Sequence, residues 1–216
     1  MKKNFLILTI AFFVYSCNSD KNADKKTRSL KEQATIDNLT SIGDKSYNAH
    51  DFSKAVEYYE KAIKINSKDE IVLFKAAQAY VEVFKLSKAI KLYSKAIDLN
   101  PNNPDYFFNR GRALILDKNF NKAIKDFNKV LELKPNNKEA FLKKAYCYYF
   151  QNEYNKSLEI IESIIKQTND FAEVYYLKGL VNLDLESKEQ ACKDFLKAQE
   201  FGYTVEQFLI EQACIL

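Results

Sequence analysis

The sequence is poor in the residues that break a chain or arm it with chemistry. Its 216 residues include four glycines, three prolines, one histidine and no tryptophan. So few glycines and prolines cannot supply the tight turns of a many-stranded β fold, which leaves helices as the default. One histidine and four cysteines offer few ways to build a metal or catalytic centre. An excess of one charge is also missing. Lys2 and Lys3 lie in a leader described below. Without them the 33 basic residues fall to 31 against 29 acidic ones, a net of +2 that marks no nucleic-acid surface. No apolar run approaches the roughly 20 residues that cross a bilayer as a helix. What is present, 47% hydrophobic and 29% charged residues, is the composition of one folded domain large enough to bury a core.

The amino terminus is set apart. Residues 1–4 carry two lysines, and 5–15 form an apolar run interrupted only by Thr9. That run is too short for a membrane span and has the build of a signal-peptide core. It ends at Val14-Tyr15-Ser16-Cys17. An aliphatic residue three before a cysteine and a small residue just before it resemble the lipobox of bacterial lipoproteins; Tyr15 is bulkier than that family's usual residue. The resemblance implies a signal peptide over 1–16, cleavage before Cys17 and acylation of that cysteine. Two or more acyl chains anchor stably, at about 0.8 kcal/mol per buried methylene. Asn18, where aspartate is absent, implies by the family's sorting rule the outer membrane, facing the periplasm. An ordinary secretory signal with a chance cysteine is the alternative. Residues 17–33 are polar and read as the lipidated cysteine and a flexible tether.

The scarce residues expose a period. Gly43, Gly111 and Gly179 are spaced by 68, Pro101 and Pro135 by 34, and Ala77 and Ala145 fill the gaps in the glycine series. Ala55, Ala89, Ala123 and Ala191 share the grid, with Ser157 at the missing point, and Tyr59, Tyr93, Phe127, Ile161 and Phe195 are successive equivalents. Within one period Phe107, Gly111 and Leu114 recur at helical spacing, as do Phe120, Ile124, Phe127 and Leu131.

This pattern resembles the tetratricopeptide repeat. The resemblance implies an all-α fold: an α-solenoid of five helix-turn-helix repeats over 34–203, followed by a capping helix at 204–216. The copies register as 36–69, 70–103, 104–137, 138–171 and 172–205, the last running into the cap. Asn100-Pro101-Asn102-Asn103 and Lys134-Pro135-Asn136-Asn137 match its inter-repeat turn, and Pro104 suits a first helical position. Arg110, Lys144 and Lys178 at position 7, with Ile164 at position 27, depart from the pattern and suggest looser packing in later copies. Thr204 and Gln207 have the spacing of a capping box, after Gly202 closes the last repeat helix.

Cys192 lies nine residues before Phe201 and Cys214 nine after Val205, equal heights on an antiparallel hairpin. An envelope compartment permits their oxidation, so a Cys192–Cys214 disulfide is expected, with two half-buried thiols as the alternative. Cys147 reads as an inert core residue.

Proteins of this repeat family typically bind peptides or helices on the concave face. Carried onto this chain, the groove takes in Phe74, Phe108, Arg112, Leu142, Tyr146, Tyr149 and Tyr176, an apolar and aromatic lining suited to an apolar helix face or extended segment. The family's carboxylate clamp is excluded, because Phe74 and Phe108 stand where it needs lysine. No phosphate-cradling loop, metal-ligand spacing or nucleophile elbow occurs, and His50 stands alone in a turn. The expectation is a non-catalytic envelope scaffold without cofactor or metal, held to a membrane by lipid. Its partner would be another envelope protein or peptide, not nucleic acid and not a small molecule. Two other readings stay open: an assembly factor of the outer-membrane-insertion or pilus-pilotin type, and a glycan- or peptidoglycan-binding lipoprotein using Tyr146, Tyr149 and Tyr176.

Overall fold

The structure is a computed structural model that describes residues 27–168 and 171–214; the leader, Cys17 and the first part of the expected tether lie outside them. Among the described residues there are helices and no strands. Helix α1 covers 27–48. It is followed by α2 (Phe52–Ile65), α3 (Glu70–Glu82), α4 (Leu86–Leu99), α5 (Pro104–Leu116), α6 (Phe120–Leu133), α7 (Lys138–Phe150), α8 (Tyr154–Gln167), α9 (Ala172–Asp184), α10 (Lys188–Glu200) and α11 (Gln207–Cys214). The starts of α3, α5, α7 and α9 fall 34 residues apart, as do those of α2, α4, α6, α8 and α10. Each helix packs on its neighbours in the chain, and α3, α5, α7 and α9 touch in succession, which is the layout of a solenoid.

Local chemistry sets the boundaries. Asp69, Asn103 and Asn137 cap α3, α5 and α7 by accepting backbone N–H bonds, and Pro104 opens α5 where no N–H is needed. The turn inside every repeat closes by the same pair of bonds. In the first, the His50 N–H donates to the Tyr47 carbonyl and the Asp51 N–H to that of Ser46, a Schellman motif. The pattern recurs at Phe84, Lys118, Asn152 and Glu186, and all five residues hold φ between 55° and 59°. Glycine is the residue that suits this left-handed position, and only the last such turn, at Gly202, has it. Phe84 is the bulkiest of the five. Phe84→Gly is expected to raise stability by about 0.5–1 kcal/mol, the strain relieved less the entropy glycine adds to the unfolded chain. An unmoved urea midpoint would show that the turn stores no strain.

The glycine series has a steric cause. A Cβ on Gly43, Gly111 or Gly179 would stand 2.5, 2.8 and 2.5 Å from the rings of Tyr59, Phe127 and Phe195 respectively. Each glycine lets the second helix seat an aromatic ring against the first. Ser157, the odd member of the alanine series, is buried and donates to the Ala145 carbonyl at 3.0 Å, so its hydroxyl is satisfied.

Three expectations are corrected here. The later copies are not looser where position 7 turns basic. Arg110 grips Asp126 through two nitrogens at 2.7 and 2.8 Å and also reaches Ser94, while Lys178 lies 3.8 Å from Asp194. Ile164 is fully packed. Only Lys144 lacks a facing carboxylate, because Ile160 occupies the equivalent place on α8; burial pushes its pKa down. Second, helix α1 reaches back through residues 27–33, which the sequence reads as tether; they are exposed, and Arg28 pairs with Glu32 one turn on. Third, the last helix begins at Gln207, not Thr204. Glu206 accepts from the Leu209 and Ile210 N–H groups, and Gln207 turns its amide to Glu211. The capping box fails because the chain is not helical over 203–206, where Val205 is buried.

Candidate functional site

The first helices of successive repeats form one face, and the expected groove residues can be placed on it. Phe74 is half-buried between the rings of Tyr93 and Tyr106, at 5.7 and 5.0 Å. Phe108 is half-buried on Phe127 at 5.8 Å. Leu142 is not a groove residue: it is 0% exposed, packed among α7, α8 and α9 with Ile161, Val174 and Leu177. It occupies the seam where adjoining repeats meet, so its side chain is core. Tyr176 is engaged by the cap, with its ring 4.6 Å from Tyr203 and its hydroxyl donating to Glu206 at 3.2 Å. Burial of this hydroxyl beside Glu206 pushes its pKa up to about 12.

Arg112 and Tyr146 are brought together, while Tyr149 lies outside the lining, its ring against Phe150 and Tyr154. A cleft of 240 Å³ opens between α5, α7 and the start of α9, lined by Arg112, Ile115, Leu116, Lys143, Tyr146, Phe150 and Glu173. Its walls are apolar and unusually bare for side chains of this size, with Leu116 52% and Phe150 49% exposed. Phe150 is the hub of an aromatic cluster, with Phe120 at 5.5 Å, Tyr149 at 5.5 Å and Tyr146 at 6.1 Å. Lys143 pairs with Glu173 at 3.0 Å and lies 5.3 Å over the Tyr146 ring. Arg112 is exposed, forms no ion pair among the described residues, and also borders a smaller cleft with Tyr47, Gln78, Glu82 and Asn109. Burial, then Glu173, raises the pKa of Tyr146, while burial and Asp184 raise that of Tyr149, so both hydroxyls remain protonated donors. The cleft can hold an apolar side chain on its aromatic wall, with Arg112 placed for a neighbouring carboxylate or carbonyl.

Sequence reasoning missed Leu116 and Phe150. Both stand at position 13, one turn beyond the position-9 residues Arg112 and Tyr146, and the readable signal was a large apolar residue where the repeat allows a polar one. No group of three His, Cys, Asp or Glu side chains among the described residues is placed to hold a metal.

The solenoid ends in a clasp. Cys192 of α10 and Cys214 of α11 are joined in a disulfide with Cα atoms 5.0 Å apart, and Val205, Leu209 and Ala213 are buried beside Ala191, Phe195 and Ala198. Reductant is expected to cost the fold about 2–3 kcal/mol, read as a lower denaturation midpoint for wild type and an unchanged one for Cys192→Ser. Equal midpoints with and without reductant would contradict it. Burial pushes the Cys147 thiol up to about 12, which keeps it protonated and unreactive.

Comparison with known proteins agrees with this architecture. Tetratricopeptide repeat families match residues 114–181, residues 47–69 and residues 172–201, and a TPR repeat family matches 85–116. The chain carries tetratricopeptide repeats, and its fold is the α-solenoid they build. Among curated proteins, none matches it. Among solved structures, MamA is similar at 25% identity and a TM-score of 0.67, over 74% of this chain and 94% of that one. YrrB, described as a TPR protein with an unusual peptide-binding site, is similar at 20% identity and 0.68, over 88% and 97%. PilW, described as a widely conserved type IV pilus biogenesis factor, is similar at 18% identity and 0.71, over 83% and 86%. The fold is a protein-interaction scaffold, of a family that is typically non-catalytic.

Proposed function

We propose that the chain is a lipid-anchored scaffold of the bacterial envelope that holds an apolar segment of a partner protein in the cleft between α5, α7 and α9. The observation that carries the binding reading is the half-exposed Leu116 and Phe150 beside Tyr146 and the unpaired Arg112. Large apolar side chains left half exposed around a cleft are the usual mark of a docking surface. The anchor rests on the leader and Cys17. Envelope assembly is a narrower form of the same reading, and the fold likeness to a pilus biogenesis factor is in keeping with it.

Two experiments test the halves separately. Cys17→Ala is expected to block processing and membrane retention, and unchanged fractionation would refute the anchor. Tyr146→Glu, which sets a charge on the cleft's aromatic wall, is expected to weaken partner binding at least tenfold with the helical signal retained. Undiminished binding would refute the cleft.

A further inference from the structure

The near-zero net charge conceals a basic surface. Two clefts adjoin along α4, the first of them bordered also by α2 of the preceding repeat. One, of 390 Å³, has Ile63 and Leu92 in its lining and Lys64, Lys88, Lys91 and Lys95 around it. The other, of 380 Å³, passes Phe84 and Lys85 and shares Lys88 with the first, so the two adjoin at that residue. Lys88, Lys91 and Lys95 recur at helical spacing along α4, and all five lysines are exposed. None of the five forms an ion pair among the described residues. Of the two carboxylates in the linings, Asp117 and Glu60, the second is engaged by the Tyr80 hydroxyl.

Phe84 stands at the rim of this face. It is 80% exposed, the barest large apolar side chain of the described residues, and its backbone is held at φ 55°. The equivalent residues of the other repeats are His50, Lys118, Asn152 and Glu186. The backbone conformation is common to all five turns, so what sets this one apart is the phenyl group itself, held in water without packing in return.

We infer that this face docks on an anionic bilayer surface, with Phe84 entering the headgroup layer and the lysines set against lipid phosphates. The inference rests on the membrane location proposed above. An aromatic ring projecting among lysines is the arrangement that binds a membrane interface, where the ring enters a deformable apolar boundary and the amines meet negative charge. A folded acidic partner would need a matching pocket for the projecting ring. Three of the five lysines lie on α4, a second helix of its repeat, whereas the partner cleft is built on first helices.

Ser87 is exposed and lines the same face, so Ser87→Cys can carry an environment-sensitive dye beside Phe84. Cys147 is buried and Cys192 and Cys214 are bonded to each other. The full chain, purified from membranes, is added to phosphatidylethanolamine vesicles with and without phosphatidylglycerol. The expected result is a blue-shifted dye, quenched by brominated acyl chains, on anionic vesicles only. High salt or Lys88→Glu with Lys91→Glu abolishes the shift, and Phe84→Ser weakens the association behind it about tenfold. A dye that stays in water on anionic vesicles, or a shift indifferent to the charge reversal, overturns the inference. So does a shift produced only by an added acidic polypeptide. Sedimentation with neutral vesicles reads the anchor separately, and a chain lacking Ser87→Cys, labelled in parallel, gives the background from any unacylated Cys17, so failure of the anchor and failure of the face are distinguished.

Discussion

Phe127→Ala is expected to lower stability by about 4 kcal/mol, read as a large fall in the urea midpoint. The ring is 0% exposed and fills the space that Gly111 leaves open, so truncation removes apolar contact and leaves a hole with glycine on one wall. No side chain on that wall can swing in. Gly111→Ala alone should also destabilise, because its Cβ would stand 2.8 Å from the ring, by about 1–2 kcal/mol after the gain in helix propensity. In the double variant the added methyl occupies part of the cavity, so the combined loss should fall short of the sum. A loss below about 1 kcal/mol for Phe127→Ala would mean that the third repeat collapses freely around the gap. Because the repeat lies mid-array, a full loss should also broaden the transition as the two ends uncouple.

Asp126→Ala is the second large effect, expected at about 3 kcal/mol. Asp126 has 7% side-chain exposure and Arg110 21%, so removing the carboxylate strands a mostly covered guanidinium that now has only Ser94. The remaining exposure of Arg110 places the cost at the low end of what a broken buried pair shows. The compensating test is built into the chain: the second copy holds Ala76 and Leu92 at these two positions, and the first holds Ile42 and Tyr58. Arg110→Ala with Asp126→Leu should recover stability to within about 1 kcal/mol of wild type, since an apolar pair has no charge to desolvate. A double variant as unstable as Asp126→Ala would show that the ion pair holds the two helices in a way that apolar contact cannot.

The period was legible because scarce residues carry it for steric reasons. Gly43, Gly111 and Gly179 sit where a ring leaves little room for Cβ, and Ala77 and Ala145, the smallest side chains, take the same place in the other copies. The turns were not legible as left-handed, since His50, Phe84, Lys118, Asn152 and Glu186 carry no common side-chain signal; the backbone bonds of the Schellman motif impose the conformation. Arg110 looked like a fault in packing because its partner stands 16 residues away on another helix. The cap misled in the opposite direction: Thr204 and Gln207 have the right spacing, but burial of Val205 decides the path. The groove was half legible. Its face follows from the register of the first helices, whereas which residues stay bare on it depends on tertiary packing, which sank Leu142 and left Leu116 and Phe150 in the open. The lysine face was hidden because a net charge sums over opposite sides of the molecule.

The most direct test of the central claim is in-cell photo-crosslinking from position 150, at the hub of the cleft, against a control at Lys166, which is exposed at the end of α8. The account predicts one dominant envelope protein captured from position 150, absent from the control and lost when Tyr146 is changed to glutamate. The same capture from both positions, or none from position 150 in a chain that is folded and correctly located, would contradict it.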